Sequence, residues 1–311
     1  MTNWPADPAI YLRLLLETFR DARDGKPAGY TPEHPQTDPD TFAIAVATVD
    51  GEVVTAGDAG HLLTIQSISK PFIYGLALDL FGRAEVHRRV GVEPTTESFN
   101  SIIELEEDHL PYNPMINSGA IAMSAMLHHA APKRAPQQVM AMFGDYLGRE
   151  ARLHPATTDL TGEGAHRNRA IAHLLRHFDL IGDDIDGAMA IYARQCTVAA
   201  DTRELALMAA TLANGGVQPL TGKRAIRPES LRDVLTLMFT CGMYDSSGRW
   251  AYTVGLPAKS GVGGGVLAVV PGRMGLAVYS PRLDSHGHSV RAVEVFRAWA
   301  ADWKLGMFDR P

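Results

Sequence analysis

Ser67 and Lys70 stand three residues apart in the stretch Gln66-Ser67-Ile68-Ser69-Lys70-Pro71-Phe72. On a helix, positions i and i+3 share a face with Cβ atoms roughly 5–6 Å apart, so a hydroxyl would lie beside an amine. A serine hydroxyl becomes a nucleophile once a base takes its proton, and lysine serves as that base when its pKa is lowered. Burial and nearby positive potential lower it, and a helix N-terminus adds to the second. The tetrapeptide alone also describes a helix-capping serine followed by a solvated lysine. A second stretch, Lys259-Ser260-Gly261 followed by Val262-Gly263-Gly264-Gly265, bears on the choice. Its amine would add positive potential beside Lys70, and its hydroxyl can bind a carboxylate. Its glycines let the backbone approach a ligand with N–H groups free. One such N–H, with that of Ser67, would form an oxyanion hole. By itself this second stretch reads equally as a glycine-rich turn with a surface lysine.

The elements around these two stretches follow from periodicity. Asp7-Pro8 reads as a helix start, with Ile10, Tyr11, Leu14, Leu15 and Phe19 on one face. Phe42 to Val49 and Glu52 to Ala56 form a hairpin about Asp50-Gly51, and a short apolar run ends at Ser67. From Asp79 to about Gly215 the pattern is almost wholly helical. After a further helix, Ser230 to Phe239, the runs Trp250 to Val254, Gly265 to Val270 and Met274 to Tyr279 read as strands. A closing helix carries Val290, Val293, Phe296, Trp299, Ala300 and Trp303 on one face. Strands near both ends of a chain pair into one sheet, because isolated hairpins are marginal. The expected fold is α+β: an antiparallel sheet packed by the terminal helices, with an all-helical subdomain inserted. The sheet part would be residues 1–78 with 216–311, the helical part 79–215, and the site would lie between them in a single catalytic domain.

Composition narrows the partners. The 311 residues are 46% hydrophobic and 21% charged, in the range of ordinary globular chains. A net charge of −6 argues against nucleic acid and against a membrane surface. Two cysteines, Cys196 and Cys241, make no disulfide framework and read as reduced, buried thiols. The first residues show no basic and apolar leader, and no apolar run reaches membrane-spanning length, so a cytoplasmic location is expected. The twelve histidines show no metal-ligand spacing, and no phosphate-binding glycine motif appears. Neither a metal nor another cofactor is expected.

Ser-x-x-Lys and Lys-Ser-Gly flanking a helical insertion resemble the penicillin-recognising serine enzymes and their relatives. Within that group the chain resembles the serine-dependent glutaminase family over nearly its whole length. The resemblance is carried by Gln66-Ser67-Ile68-Ser69-Lys70-Pro71, Gly91-Val92-Glu93-Pro94, Tyr112-Asn113-Pro114-Met115-Ile116-Asn117-Ser118-Gly119-Ala120, and His166-Arg167-Asn168. It continues through Met208-Ala209-Ala210-Thr211-Leu212-Ala213-Asn214-Gly215-Gly216, Cys241-Gly242-Met243-Tyr244-Asp245 and Leu256-Pro257-Ala258-Lys259-Ser260-Gly261-Val262.

The resemblance implies hydrolysis of L-glutamine to L-glutamate and ammonia through a glutamyl ester on Ser67. Lys70 would be the base, Tyr244 would relay the proton, and Tyr192 would sit beside it. Asn117, Asn168 and Tyr30 would hold the amino-acid end, and the N–H groups of Ser67 and Val262 the oxyanion. The family usually carries a substrate-binding glutamate seven residues before the position of Asn168. Here that place is Thr161, with Glu163 two residues on. Either Glu163 takes the contact or the contact is missing. The family is commonly oligomeric, so a dimer or tetramer is expected. Without the resemblance, Asn117 reads as a helix cap, Asn168 and Tyr192 as surface and core positions, and Tyr244 as loop packing. Two other functions remain open on the residues alone: a β-lactamase-like or esterase hydrolase, and a glutamine sensor without turnover.

Overall fold

Alternating apolar residues in five strands build a sheet with two unlike faces. The computed structural model describes residues 7–29, 37–156 and 163–309. Its strands run in chain order β1 (Ala43–Thr48), β2 (Val53–Gly57), β3 (Leu63–Thr64), β4 (Ala199–Ala200), β5 (Ala258–Ser260), β6 (Gly265–Val270) and β7 (Met274–Tyr279). The main sheet has the order β2-β1-β7-β6-β5, antiparallel throughout. Strand β1, from the start of the chain, pairs with β7, from near its end, in the register Ala45↔Ala277. The expected joining of early and late strands therefore holds. Strand β3 stays out of that sheet and pairs with β4 instead.

The helices are α1 (Pro8–Phe19), α2 (Lys70–Phe81), α3 (Arg83–Val86), α4 (Ile103–Glu107), α5 (Asn117–Ala130) and α6 (Ala135–Leu147). There follow α7 (Glu163–His177), α8 (Ile185–Cys196), α9 (Thr202–Ala213), α10 (Pro228–Cys241), α11 (Ser247–Thr253) and α12 (Val290–Trp303). None among the described residues is long and apolar enough to cross a membrane.

The two sheet faces bury different side chains, as a period of two requires. Ile44, Val46, Val266, Leu276 and Val278 pack against Leu12 and Leu15 of α1 and Phe296 and Trp299 of α12. On the other face Ala43, Ala45, Ala47, Leu267 and Ala277 meet α9 and, beyond it, the helical part. Small residues dominate this second face because α9 lies almost on the sheet backbone. A Cβ on Gly275 would stand 2.1 Å from the Ala210 nitrogen and 2.3 Å from the Ala206 carbonyl oxygen.

Three local expectations need correction. Helix α1 buries Tyr11, Leu12, Leu15 and Leu16, while Ile10 and Leu14 are 60% and 56% exposed. The run Leu14-Leu15-Leu16 offers an apolar residue to every face, so periodicity alone could not phase it. Residues Trp250 to Val254 belong to helix α11 and the residue that ends it, not to a strand. There the tertiary contact outweighs β propensity: the Trp250 indole donates to the Leu256 carbonyl at 2.8 Å and meets Phe296 edge-on. Helix α12 turns Arg291, rather than Val290 or Val293, inward. Its guanidinium donates to the carbonyls of Arg20, Ala22 and Asp40, tying the last helix to the first.

Gly275→Ala should destabilise the protein by about 1–3 kcal/mol, because helix and sheet must part to admit one methyl. Urea unfolding measures it, and an unchanged midpoint would show that α9 does not rest on the strand.

Candidate active site

Residues Gln66–Ser69 form a single 3-10 turn that runs straight into α2. The N–H of Lys70 donates to the Ser67 carbonyl, closing the turn. A 3-10 turn, in which side chains at i and i+3 eclipse, rather than the α-helix expected from sequence, thus leads from Ser67 to Lys70. Gln66 carries φ +46°, a left-handed conformation that L-residues avoid. Two contacts hold it: the Ser69 hydroxyl donates to the Gln66 carbonyl at 2.7 Å, and the Gln66 amide donates to the Thr64 hydroxyl at 2.8 Å. Ser67 is 7% exposed and Lys70 1%. The Ser67 N–H, in the first turn of its helix, makes no hydrogen bond among the described residues.

Burial sets the chemistry of Lys70. It lowers the amine's pKa to about 7, against a small opposing pull from the Cys196 sulfur. The amine donates to Asn117 Oδ1 at 2.6 Å, and Asn117 Nδ2 donates to Asn168 Oδ1 at 2.8 Å. Asn117 is the first residue of α5, and Ile116 occupies the cap position. The Asn117 side chain thus serves Lys70 and not its own helix start. Its N–H bonds to the Phe99 carbonyl at 2.9 Å, which pins the irregular lead-in that delivers it.

A second buried lysine lies close by. Lys259 donates to the carbonyls of Gly242 at 2.9 Å and Ser260 at 2.8 Å, and sits 4.0 Å from the centre of the Tyr244 ring. The Tyr244 hydroxyl donates to the same Ser260 carbonyl at 3.2 Å. Only glycine fits at 242, because a Cβ there would stand 1.8 Å from the Ala258 carbonyl oxygen. Burial first, and then the charge on Lys70, hold the Lys259 pKa well below the ordinary lysine value. The expectation that the Lys259 charge depresses Lys70 gives way to depression by burial. The Ser260 side chain lies on the strand face opposite Lys259, fully buried and with its hydroxyl unpartnered among the described residues.

The end of β5 lies against the nucleophile's turn: a Cβ on Gly261 would be 3.0 Å from the Ile65 carbonyl oxygen. The next N–H, that of Val262, makes no hydrogen bond among the described residues. Tyr192, on α8, is 7% exposed, and it and Ser69 lie beside the Cys196 sulfur. Tyr244 carries φ +50° and is packed by Phe99, ring centres 4.8 Å apart. A cleft of about 610 Å³ opens over Tyr244, lined also by Phe99, Asp245 and His286. Glu163 opens α7, while Tyr30 and Thr161 lie outside the described residues. Sequence reasoning missed Phe99 and the closeness of Cys196 to Lys70, since neither stands in a motif with chemistry of its own.

With this geometry in view, comparisons with known proteins give one result. The sequence profile described as Glutaminase matches residues 25–308. The chain belongs to the glutaminase family. A glutaminase of Trichormus variabilis is 46% identical over 295 residues, covering 95% of this chain and 88% of that protein. One from Corynebacterium efficiens is 43% identical over 309 residues, covering 98% and 73%. The crystal structure of Mglu in its glutamate form superposes with a TM-score of 0.92 at 38% identity, covering 99% of this chain and 71% of that one. The probable glutaminase ybaS gives a TM-score of 0.92 at 36% identity, covering 97% and 99%. The expected fold is thereby assigned: it is the serine β-lactamase-like fold of the glutaminases.

In this family member the Lys70 amine should titrate near pH 7, as followed by nitrogen NMR of lysine-labelled protein. A midpoint at the ordinary lysine value, about 10.4, would contradict the burial argument.

Proposed function

We propose that this glutaminase hydrolyses the side-chain amide of L-glutamine to L-glutamate and ammonia through a glutamyl ester on Ser67. Family membership supports the reaction, and Mglu, solved in a glutamate form, is the relative whose described state matches the product. One observation carries the mechanism: a fully buried amine with a pKa near 7 stands one 3-10 turn from a buried serine.

In the proposed sequence, neutral Lys70 takes the Ser67 proton, assisted by Tyr244 with Tyr192 at its side. Serine oxygen attacks the amide carbon, and the N–H groups of Ser67 and Val262 receive the oxyanion. One such donor is worth roughly 2.7–4 kcal/mol of barrier. The C–N bond then breaks, the proton passes through the Lys70 and Tyr244 pair to the leaving nitrogen, and ammonia departs. Water attacks the ester by the same route, returning a hydroxyl to Ser67 and releasing glutamate. Asn117 and Asn168, with Tyr30 and Glu163, take the amino-acid end of the substrate. Lys259 supports Tyr244 from beneath its ring, and Ser260 supplies the carbonyl that both groups share.

The reading extends to a single catalytic domain, with the site between the sheet part and the helical part. It also includes a cytoplasmic location, supported by two free cysteines, and a homo-oligomer, supported by exposed Tyr252 and Phe308.

Ser67→Ala should lower ammonia release by roughly 10⁴-fold or more, the scale for a lost nucleophile, while glutamine binding stays measurable by calorimetry. Sustained ammonia release by that variant over many turnovers would reject Ser67 as nucleophile.

A further inference from the structure

Five residues before α12 form a loop that grips the Tyr244 turn at two points. The loop, Asp284 to His288, is folded on itself. Asp284 Oδ1 accepts from the N–H groups of His286 and His288 at 2.9 Å each, and the Asp284 N–H donates to the His288 carbonyl at 2.8 Å. This closed turn sends two imidazoles toward consecutive residues. His286 Nδ1 meets Asp245 Oδ2 at 2.7 Å on the surface. His288 lies inward, its ring stacked on that of Tyr244 with centres 5.3 Å apart and planes 23° apart.

His288 is an unusual choice for such a place. It is 2% exposed, and neither ring nitrogen has a hydrogen-bond partner among the described residues. A buried polar group left unpaired carries its desolvation cost without return. What the ring does have is a flat face against a tyrosine whose own backbone is in a disfavoured conformation, φ +50°. Such a conformation persists only where surrounding contacts over-determine it. Phe99 and His288 supply ring contacts of that kind, and Lys259 adds its amine over the ring.

We propose that His288 is a positioning residue for the reaction: its ring, braced by the His286–Asp245 pair, holds the Tyr244 phenol in place and keeps water from the Lys259 amine. This rests on the reading of Tyr244 as the proton relay. Four groups act on His288 through charge: Asp284 and Asp245 favour its protonation, Lys259 and His286 oppose it. Burial outweighs all four and lowers its pKa to about 4, so the ring is neutral at neutral pH. A neutral ring adds no charge beside Lys259.

The test compares His288→Ala with His288→Phe in the full chain, measuring kcat, KM and the pH dependence of kcat. In His288→Ala, kcat should fall about tenfold, a typical share of a proton-transfer contribution, with KM within about twofold. Its pH midpoint should move up, because water reaching the pocket eases the desolvation of both lysines. His288→Phe keeps a flat, uncharged ring and should restore kcat and midpoint together. Should His288→Ala not accumulate as folded protein, His288→Leu takes its place, with the same expectations. An unaltered kcat and profile in the Ala or Leu variant would overturn the proposal. So would an equal loss in His288→Phe with the midpoint unmoved. Tyr244→Phe separates the layers: full activity there removes the relay reading, whereas an inactive Tyr244→Phe beside a normal His288→Ala removes only the role of His288.

Discussion

The structure depends on taking one ammonium group out of water. An ordinary lysine is protonated at neutral pH and cannot accept a proton from serine. Lys70 is 1% exposed, and that burial alone brings its pKa to about 7. The proton removed is worth about 1.4 kcal/mol for each pKa unit, which the rest of the fold must supply as packing around the amine. Among the described residues Asn117 accepts a side-chain hydrogen bond from it, on a neutral amide oxygen rather than a carboxylate. A carboxylate in that place would restore the charge and raise the pKa again.

Packing of this kind uses backbone more than side chains. Gly242 lets the end of α10 touch β5, so that a main-chain carbonyl and not an acidic residue meets Lys259. Two of the five described non-glycine residues with positive φ are Gln66, beside Ser67, and Tyr244, the proposed relay. Strain gathered at these two places is consistent with contacts that fix an arrangement before substrate arrives. The sheet provides the rigid wall: β5 is hydrogen-bonded to β6, β6 to β7, and both faces of the sheet are covered.

Much of this was legible in the residues. Strands β6 and β7 fall at the positions their periodicity predicts, because a run of apolar residues closed by Pro and Gly is a local signal. The Ser67 and Lys70 pairing was legible for the same reason, though the turn that holds it proved 3-10. What sequence could not give were properties set by distant neighbours. Lys259 reads as a surface lysine until α10 and Tyr244 close over it. Trp250 reads as a strand residue until Phe296 meets it. His288, in a run of Asp, Ser, His and Gly, reads as loop until the fold lays it on Tyr244.

The account stands on a neutral Lys70 drawing the proton from Ser67. The most direct measurement is the rate at which the glutamine-analogue diazo ketone 6-diazo-5-oxo-L-norleucine alkylates Ser67 as pH is raised, read by mass spectrometry of the digested protein. The account predicts a rate that climbs with a midpoint near pH 7 and disappears in Lys70→Met. A rate independent of pH across that range, or one that survives in Lys70→Met, would contradict it.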